Sequence, residues 1–322
     1  MSSATTTGSD GTAPRHHVAI VGAAGNVGSA TAFAMTLSPF VQRVTLVDHR
    51  PERAEVHAMD LEQVCAGLGH HCVVDTGDVA AGVGADTMVV AASAPLAPGT
   101  AHGDQLLPNA RIARALAADV AATGRLPRRL VVSTAPVEAL TTYLRRELAA
   151  ARDAVVGYTL NDTTRLRVAI ARSLDVDPRA VDAWSLGVLG SHPVRVFSRV
   201  HVGGRRVDLE PAAKQRVLDY LANWFPRWLA REPTRTSAWM TAYGLSALVA
   251  RFASEDASVV PMAVTLDGEY GMSDVAVTVP VEVPAVRVVE SPLADEEARA
   301  LNEAGAAVED AVGRIYREVG GP

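Results

Sequence analysis

Hydrophobic and polar positions along the 322-residue chain follow two regimes that change near residue 150. In the first, short Val-rich runs alternate with amphipathic stretches. "HVAIVG" (17–22), "RVTLVD" (43–48), "DTMVVAA" (86–92) and "RLVVST" (129–134) are apolar without alternation, as in strands buried on both faces. Between them, 26–37, 52–66, 104–122 and 136–150 carry apolar residues at helical spacing. This rhythm predicts a parallel sheet with right-handed crossovers and helices on both sides. Beyond residue 153 the order is a helix (161–174), a strand-rich patch (181–209), two long helices (212–230 and 236–253), more strands (258–289) and a final helix (294–318). "VRVFSRVHVGGRRVDL" alternates around Gly203-Gly204, which predicts an antiparallel hairpin. The expected organisation is a tail (1–14), a first lobe (15–153) and a second lobe (154–322).

Composition narrows the function classes. A net charge of −6 leaves no chain-wide basic field for nucleic acid or an anionic membrane surface. The tail "MSSATTTGSDGTAP" has neither an apolar core nor a basic amphipathic pattern, so it reads as disordered and not as a targeting signal. No window approaches the ~18 uninterrupted apolar residues of a membrane span, and a cytoplasmic protein is expected. Cys65 and Cys72 cannot build a disulfide framework, and neither they nor His16-His17 and His70-His71 have the spacing of a metal site.

The strongest chemical signal is Gly22-Ala23-Ala24-Gly25-Asn26-Val27-Gly28, directly after one predicted strand and opening a helix. One glycine permits the sharp turn, one lets backbone approach a pyrophosphate, and one lets helix pack on strand. The helix N-terminus then offers N–H groups and a positive dipole end to phosphates. Twenty residues beyond Gly28, Asp48 ends the next strand. A carboxylate there accepts from both adenine-ribose hydroxyls and repels a 2′-phosphate, which favours NAD over NADP; His49 and Arg50 work against that preference.

Further motifs carry a resemblance. "LVDHRPERAEVHAMDLEQ", "APLAPGTAHGDQLLPNARI", "VVSTAPVEALTTYL", "VVGYTLNDTTRLR" and "LDGEYGMSDVAVTVPVEV" occur in this order, and together they resemble the lactate/malate dehydrogenase family over nearly all of 17–316. The resemblance implies an α/β fold: a Rossmann-type doubly wound parallel sheet followed by a mixed α+β substrate domain. It also implies NAD as cofactor, a small-molecule substrate, and assembly as a homodimer or homotetramer. Gly22, Gly25, Asn26, Val27, Gly28, Asp48, Ala92 and Thr134 are the expected cofactor contacts.

At the substrate end the match is incomplete. Asp162 and Arg165 occupy the Asp and Arg of the family's signature helix, one turn apart on one face. The family's two loop arginines are replaced by Leu96 and His102, and its nicotinamide-side Asn by Ala135. In "SLGVLGSHPVRVFS" the catalytic His position falls on Leu189, within Gly187–Gly190. Leucine moves no proton, and losing a general acid/base costs ~10²–10⁴ in rate. Candidate replacements are His192, if a shifted turn brings it to Asp162, and His102 on the loop expected to close over the site; each has a solvated-loop alternative. Arg235 could supply a cation from another direction, with Ser237 in the place of a pocket-lining Thr. Arg195 reads as a hairpin surface residue, and Trp184, Trp239 and Tyr243 read as core. A carboxylate without its imidazole lowers the pocket's positive charge and argues against a dicarboxylate. Three readings follow: an NAD-dependent oxidoreductase for a non-lactate, non-malate oxo, hydroxy or imino substrate; an NAD-binding protein with non-redox chemistry on Asp162; or an inactive relative.

Overall fold

The computed structural model describes residues 16–95, 105–232 and 237–320. Its first half runs β1 (His16–Val21), α1 (Asn26–Thr36), β2 (Val41–Val47), α2 (Pro51–Gly67), β3 (Val73–Gly77), α3 (Val79–Val83), β4 (Thr87–Val90), α4 (Leu106–Ala122), β5 (Leu130–Val132), α5 (Val137–Glu147) and β6 (Val155–Gly157). The six strands lie parallel in the order β3-β2-β1-β4-β5-β6. Chain order reverses direction at β1, so the crossovers cover both faces of the sheet. All four Val-rich runs form strands, with β4 and β5 buried along their whole length. The apolar-run criterion passed over two strands: β3 is an edge strand with exposed positions, and β6 has only three residues.

The second half contains α6 (Leu160–Leu174), β7 (Val181–Asp182), β8 (Ser185–Val188), β9 (His192–Arg195), β10 (His201–Val202), β11 (Arg205–Arg206), α7 (Pro211–Leu229), α8 (Trp239–Ala253), β12 (Ser258–Asp267), β13 (Ser273–Val283), β14 (Arg287–Val288) and α9 (Asp295–Glu318). The strand-rich patch divides between two sheets. β8 and β9 extend the main sheet through β6-β12-β13-β8-β9, all antiparallel, whereas β10 pairs with β7 on one side and β11 on the other in a small separate sheet. The Gly203-Gly204 hairpin forms as expected, with both glycines at positive φ (56° and 77°). It is shorter than the alternation suggested, because Phe197–Arg199 make a 3₁₀ turn.

The main sheet does not break at residues 150–155. β6 pairs with parallel β5 on one side and antiparallel β12 on the other, with Gly157 opposite Ala263. A Cβ at Gly157 would lie 2.6 Å from Val137 Cγ1, 2.7 Å from Thr141 Oγ1 and 2.8 Å from Ala263 Cβ, so α5 seats directly on this seam. One apolar core lines the sheet from β1 to α9, and a smaller cluster sits beneath α6 and α7. Trp184 is core, as read. Trp239 and Tyr243 are not: they are 77% and 68% exposed on α8, whose buried face carries Leu245, Leu248 and Val249 instead. Among the described residues no helix is long and apolar enough to cross a membrane, and no cluster of three or more His, Cys, Asp or Glu could hold a metal ion. The tail residues 1–14 lie outside the described residues.

Candidate active site

The loop between β1 and α1 is shaped by backbone approach. Gly22 has φ +85°, and a Cβ there would lie 2.5 Å from Ala92 N and Cα at the exit of β4. A Cβ on Gly28 would lie 2.1 Å from the Gly22 carbonyl oxygen, so α1 can start this close to β1 only with glycine there. Gly25 is the N-cap of α1 and brings no side-chain acceptor, and the first turn, which includes Asn26 and Val27, has no acid. The helix end therefore keeps its positive dipole for an anionic ligand. The Asp48 side chain is only 3% exposed at the end of β2. It accepts from Ala24 N–H (2.9 Å) and Arg50 N–H (3.0 Å), which fixes the glycine loop against the second strand's tip, and His49 Nδ1 lies 3.1 Å away. These residues fit a dinucleotide: a cradle closed to a Cβ at Gly22 and Gly28, a helix N-terminus with no side-chain cap or acid in its first turn, and a carboxylate beside it.

Two further groups frame this end. Thr134 donates to the Ala92 carbonyl (2.8 Å) and lies 3.2 Å from that of Val90, so its hydroxyl ties the ends of β4 and β5 together. Asn109 of α4, which sequence reasoning missed, is buried and accepts from Ala94 N–H (2.7 Å) while donating to the Ala135 carbonyl (2.7 Å). It fastens together the two loops that frame the pocket. No sequence signal singles out a lone Asn within an amphipathic helix.

At the substrate end, Asp162 in the first turn of α6 pairs with Arg165 (Oδ1 to Nη1, 2.7 Å), and the guanidinium lies 4.0 Å over the Trp224 ring of α7. Burial pulls the Arg165 pKa down while Asp162 pulls it up. The other Asp162 oxygen accepts from Gly190 N–H (3.0 Å). One residue earlier, Leu189 N–H donates to Glu138 Oε1 (2.9 Å), in the first turn of α5. Two carboxyl groups thus hold consecutive amides of the turn after β8. Gly187 permits the turn at φ +83°, where a Cβ would lie 2.5 Å from the His192 carbonyl oxygen. Glu138 is fully buried; burial is the main cause that pushes its pKa up to about 7, and the Asp162 charge adds to the rise. Sequence reasoning missed Glu138 as well, since an acid in a first turn reads as a solvated dipole partner.

The structure joins Asp162 and Arg165 but does not bring His192 to them. His192 sits opposite Val188 in the β8–β9 pair, exposed, with Nδ1 3.2 Å from Ser191 Oγ. Arg195 differs from the surface reading: it is half-buried, burial pulls its pKa down, and the Asp162 carboxylate pulls it up. Among the described residues Arg195 makes no hydrogen bond or ion pair. Leu96, Ala97, His102 and Arg235 lie outside the described residues.

Comparison with known proteins agrees with this geometry. A family model described as "lactate/malate dehydrogenase, NAD binding domain" matches residues 16–157. The chain is 30% identical over 293 residues to a malate dehydrogenase of Halobacterium salinarum, covering 89% of this chain and 95% of that protein. It is 32% identical over 317 residues to an L-lactate dehydrogenase of Salinibacter ruber, covering 92% and 96%. Among solved structures, the minor L-lactate dehydrogenase of Enterococcus mundtii superimposes with a TM-score of 0.85 at 27% identity, covering 94% of this chain and 98% of that one. The malate dehydrogenase of Aeropyrum pernix does so with a TM-score of 0.85 at 26%, covering 92% and 97%. With its glycine cradle, its Asp162–Arg165 helix and its late hairpin in that order, the chain belongs to the lactate/malate dehydrogenase family of NAD-dependent oxidoreductases.

Proposed function

We propose that this chain is a divergent NAD-dependent oxidoreductase whose substrate is an oxo, hydroxy or imino compound other than lactate or malate. The observation that carries the reading is an intact cofactor end beside a substrate end where Asp162 faces Arg165 and a backbone amide instead of an imidazole. The cofactor supplies or accepts the hydride. Gly22 and Gly28 let the backbone close on its pyrophosphate, and Asp48 selects an unphosphorylated ribose. Thr134 and Asn109 fix the loops that face its nicotinamide end. Arg165, paired with Asp162 and lying over the Trp224 ring, presents its remaining N–H donors to an anionic or carbonyl group on the substrate. Asp162 is more exposed than Asp48 or Glu138, which is why we assign it as the acceptor for a substrate proton.

A titration of the protein with NADH, followed by a panel of 2-oxo acids, 2-oxo amides and imines, tests the reading. NADH binding with turnover of at least one non-lactate, non-malate member supports it, and absence of NADH binding refutes it. A second reading, a catalytically silent NAD-binding protein, is favoured by the fact that both Asp162 oxygens already have partners; binding without any turnover would select it. The assembly we infer is a homodimer. Six of the nine large apolar side chains exposed among the described residues belong to α1, its C-cap, α2 and α8: Phe33, Leu37, Val56, Met59, Trp239 and Tyr243. α1 packs against both other helices, which places the six on adjoining elements.

A further inference from the structure

Glu138 is unusual for a carboxyl in this molecule. No solvent reaches it, and its two oxygens differ completely in their surroundings. Oε1 accepts two hydrogen bonds, from Leu189 N–H (2.9 Å) and Thr278 Oγ1 (2.8 Å), while Oε2 is buried with no hydrogen-bond partner. A carbonyl oxygen accepts two such bonds readily. A charge spread over both oxygens would leave Oε2 bare in a dry interior, which is costly without a cation.

Among the described residues no cation is in place to offset it. The charged group acting on Glu138 is the Asp162 carboxylate of α6, which has the same sign. The neighbouring elements otherwise spend their charges elsewhere. Thr278 is the group that β13 turns to Glu138, while Asp274 on that strand pairs with Arg145 and Arg146 of α5, and Glu282 pairs with Arg287. Glu309 of α9 pairs with Arg146, and Arg195 of β9 acts on Asp162.

We infer that Glu138 is a positioning residue that holds the Gly187–Gly190 turn in its neutral, protonated form, so that alkali loosens the substrate side of the pocket while leaving the cofactor side intact. The neutral acid places its carbonyl oxygen against the Leu189 amide and its hydroxyl on Oε2. Ionisation removes that proton, sets two like charges on either side of the turn and draws water towards Oε2, and the turn is the nearest segment that can move to admit it. The link to substrate binding rests on the reading above that this turn lines the substrate side. The latch itself does not.

Hydrogen–deuterium exchange of the NADH complex, corrected for the intrinsic pH dependence of exchange, tests it in the wild type, E138Q and T278V. Gln keeps an acceptor at Oε1 and never ionises. The expected result is that protection of the segment 185–195 in the wild type falls roughly tenfold or more between pH 6 and 8.5, while the segment 18–30 does not change. In E138Q the 185–195 protection stays flat. T278V removes a hydrogen bond that favours the ionised form, so its transition moves to higher pH. This second variant keeps the test open if E138Q does not fold. Wild-type protection that is constant over this range overturns the inference, as does an E138Q profile that follows the wild type or a T278V transition that stays in place. NADH affinity, measured on the same samples, separates the two claims. Its absence in the wild type refutes the oxidoreductase reading alone, and a flat 185–195 profile with normal NADH binding refutes the latch alone.

Discussion

Replacing Leu189 by His returns an imidazole to the turn where relatives of this chain are expected to present one, and the outcome can be estimated from the surrounding contacts. A positioned general acid/base contributes ~10²–10⁴ in rate. The backbone at 189 is already fixed on both sides, by Glu138 Oε1 at Leu189 N–H (2.9 Å) and Asp162 Oδ2 at Gly190 N–H (3.0 Å), so a new side chain there inherits a held frame. The imidazole must share Asp162 with Arg165, which holds the other oxygen at 2.7 Å. Weakening a partly exposed pair of this kind costs about 1 kcal/mol, a factor of about five. The expected gain for L189H is therefore at the low end of the range, roughly 10²-fold in kcat/KM for pyruvate or oxaloacetate, with little change in NADH affinity. The assay is NADH oxidation followed by absorbance, with L189N as a control that supplies a polar group but no acid/base near neutrality. An unchanged rate in an L189H protein that is folded and binds NADH refutes the placement of residue 189 beside the reacting atoms.

Other substitutions probe the remaining parts of the site. G28A puts a Cβ where the Gly22 carbonyl oxygen lies 2.1 Å away; at least a hundredfold loss of NADH affinity by fluorescence titration is expected, and unaltered affinity would contradict the cradle. D48S removes the carboxylate that repels a 2′-phosphate, so the ratio of NADPH to NADH affinity should rise tenfold or more, read by parallel titrations. N109A leaves the Ala94 N–H and the Ala135 carbonyl without their buried partner, at a cost of about 1–3 kcal/mol, seen as a lower Tm and weaker NADH binding together. Y243E adds charge to the exposed face of α8 and should convert a dimer to a monomer in light scattering, whereas an unchanged mass would move the interface elsewhere.

What was legible in the sequence follows from which forces are local. Strands β1, β2, β4 and β5 announce themselves because a parallel strand covered on both faces is apolar along most of its length. The glycine loop is legible because its conformational demands fall on residues adjacent in the chain. The exposure of Trp239 and Tyr243 was hidden, since helical periodicity records an apolar face without saying whether this chain or another covers it. Asp162 and Arg165 were visible through the resemblance of their segment to the family's signature helix, and their one-turn spacing added only that they share a face. Glu138, Thr278 and the amide of Leu189 were not, because α5, β13 and the turn after β8 meet only in the folded chain. His192 was visible as a residue but not in its placement: it opens β9 opposite the buried Val188 yet is itself exposed, with Nδ1 beside Ser191 Oγ.

The seam at Gly157 bears on how the molecule can move. Hydrogen bonds run unbroken from β5 through β6 into β12, and α5 rests on the missing side chain of Gly157. The same helix carries in its first turn Glu138, the residue bonded to the substrate-side turn. Cofactor and substrate ends are therefore anchored to one plate with no hinge at its midpoint. A side chain added at 157 would be felt first as a misplaced turn some thirty residues further along the chain.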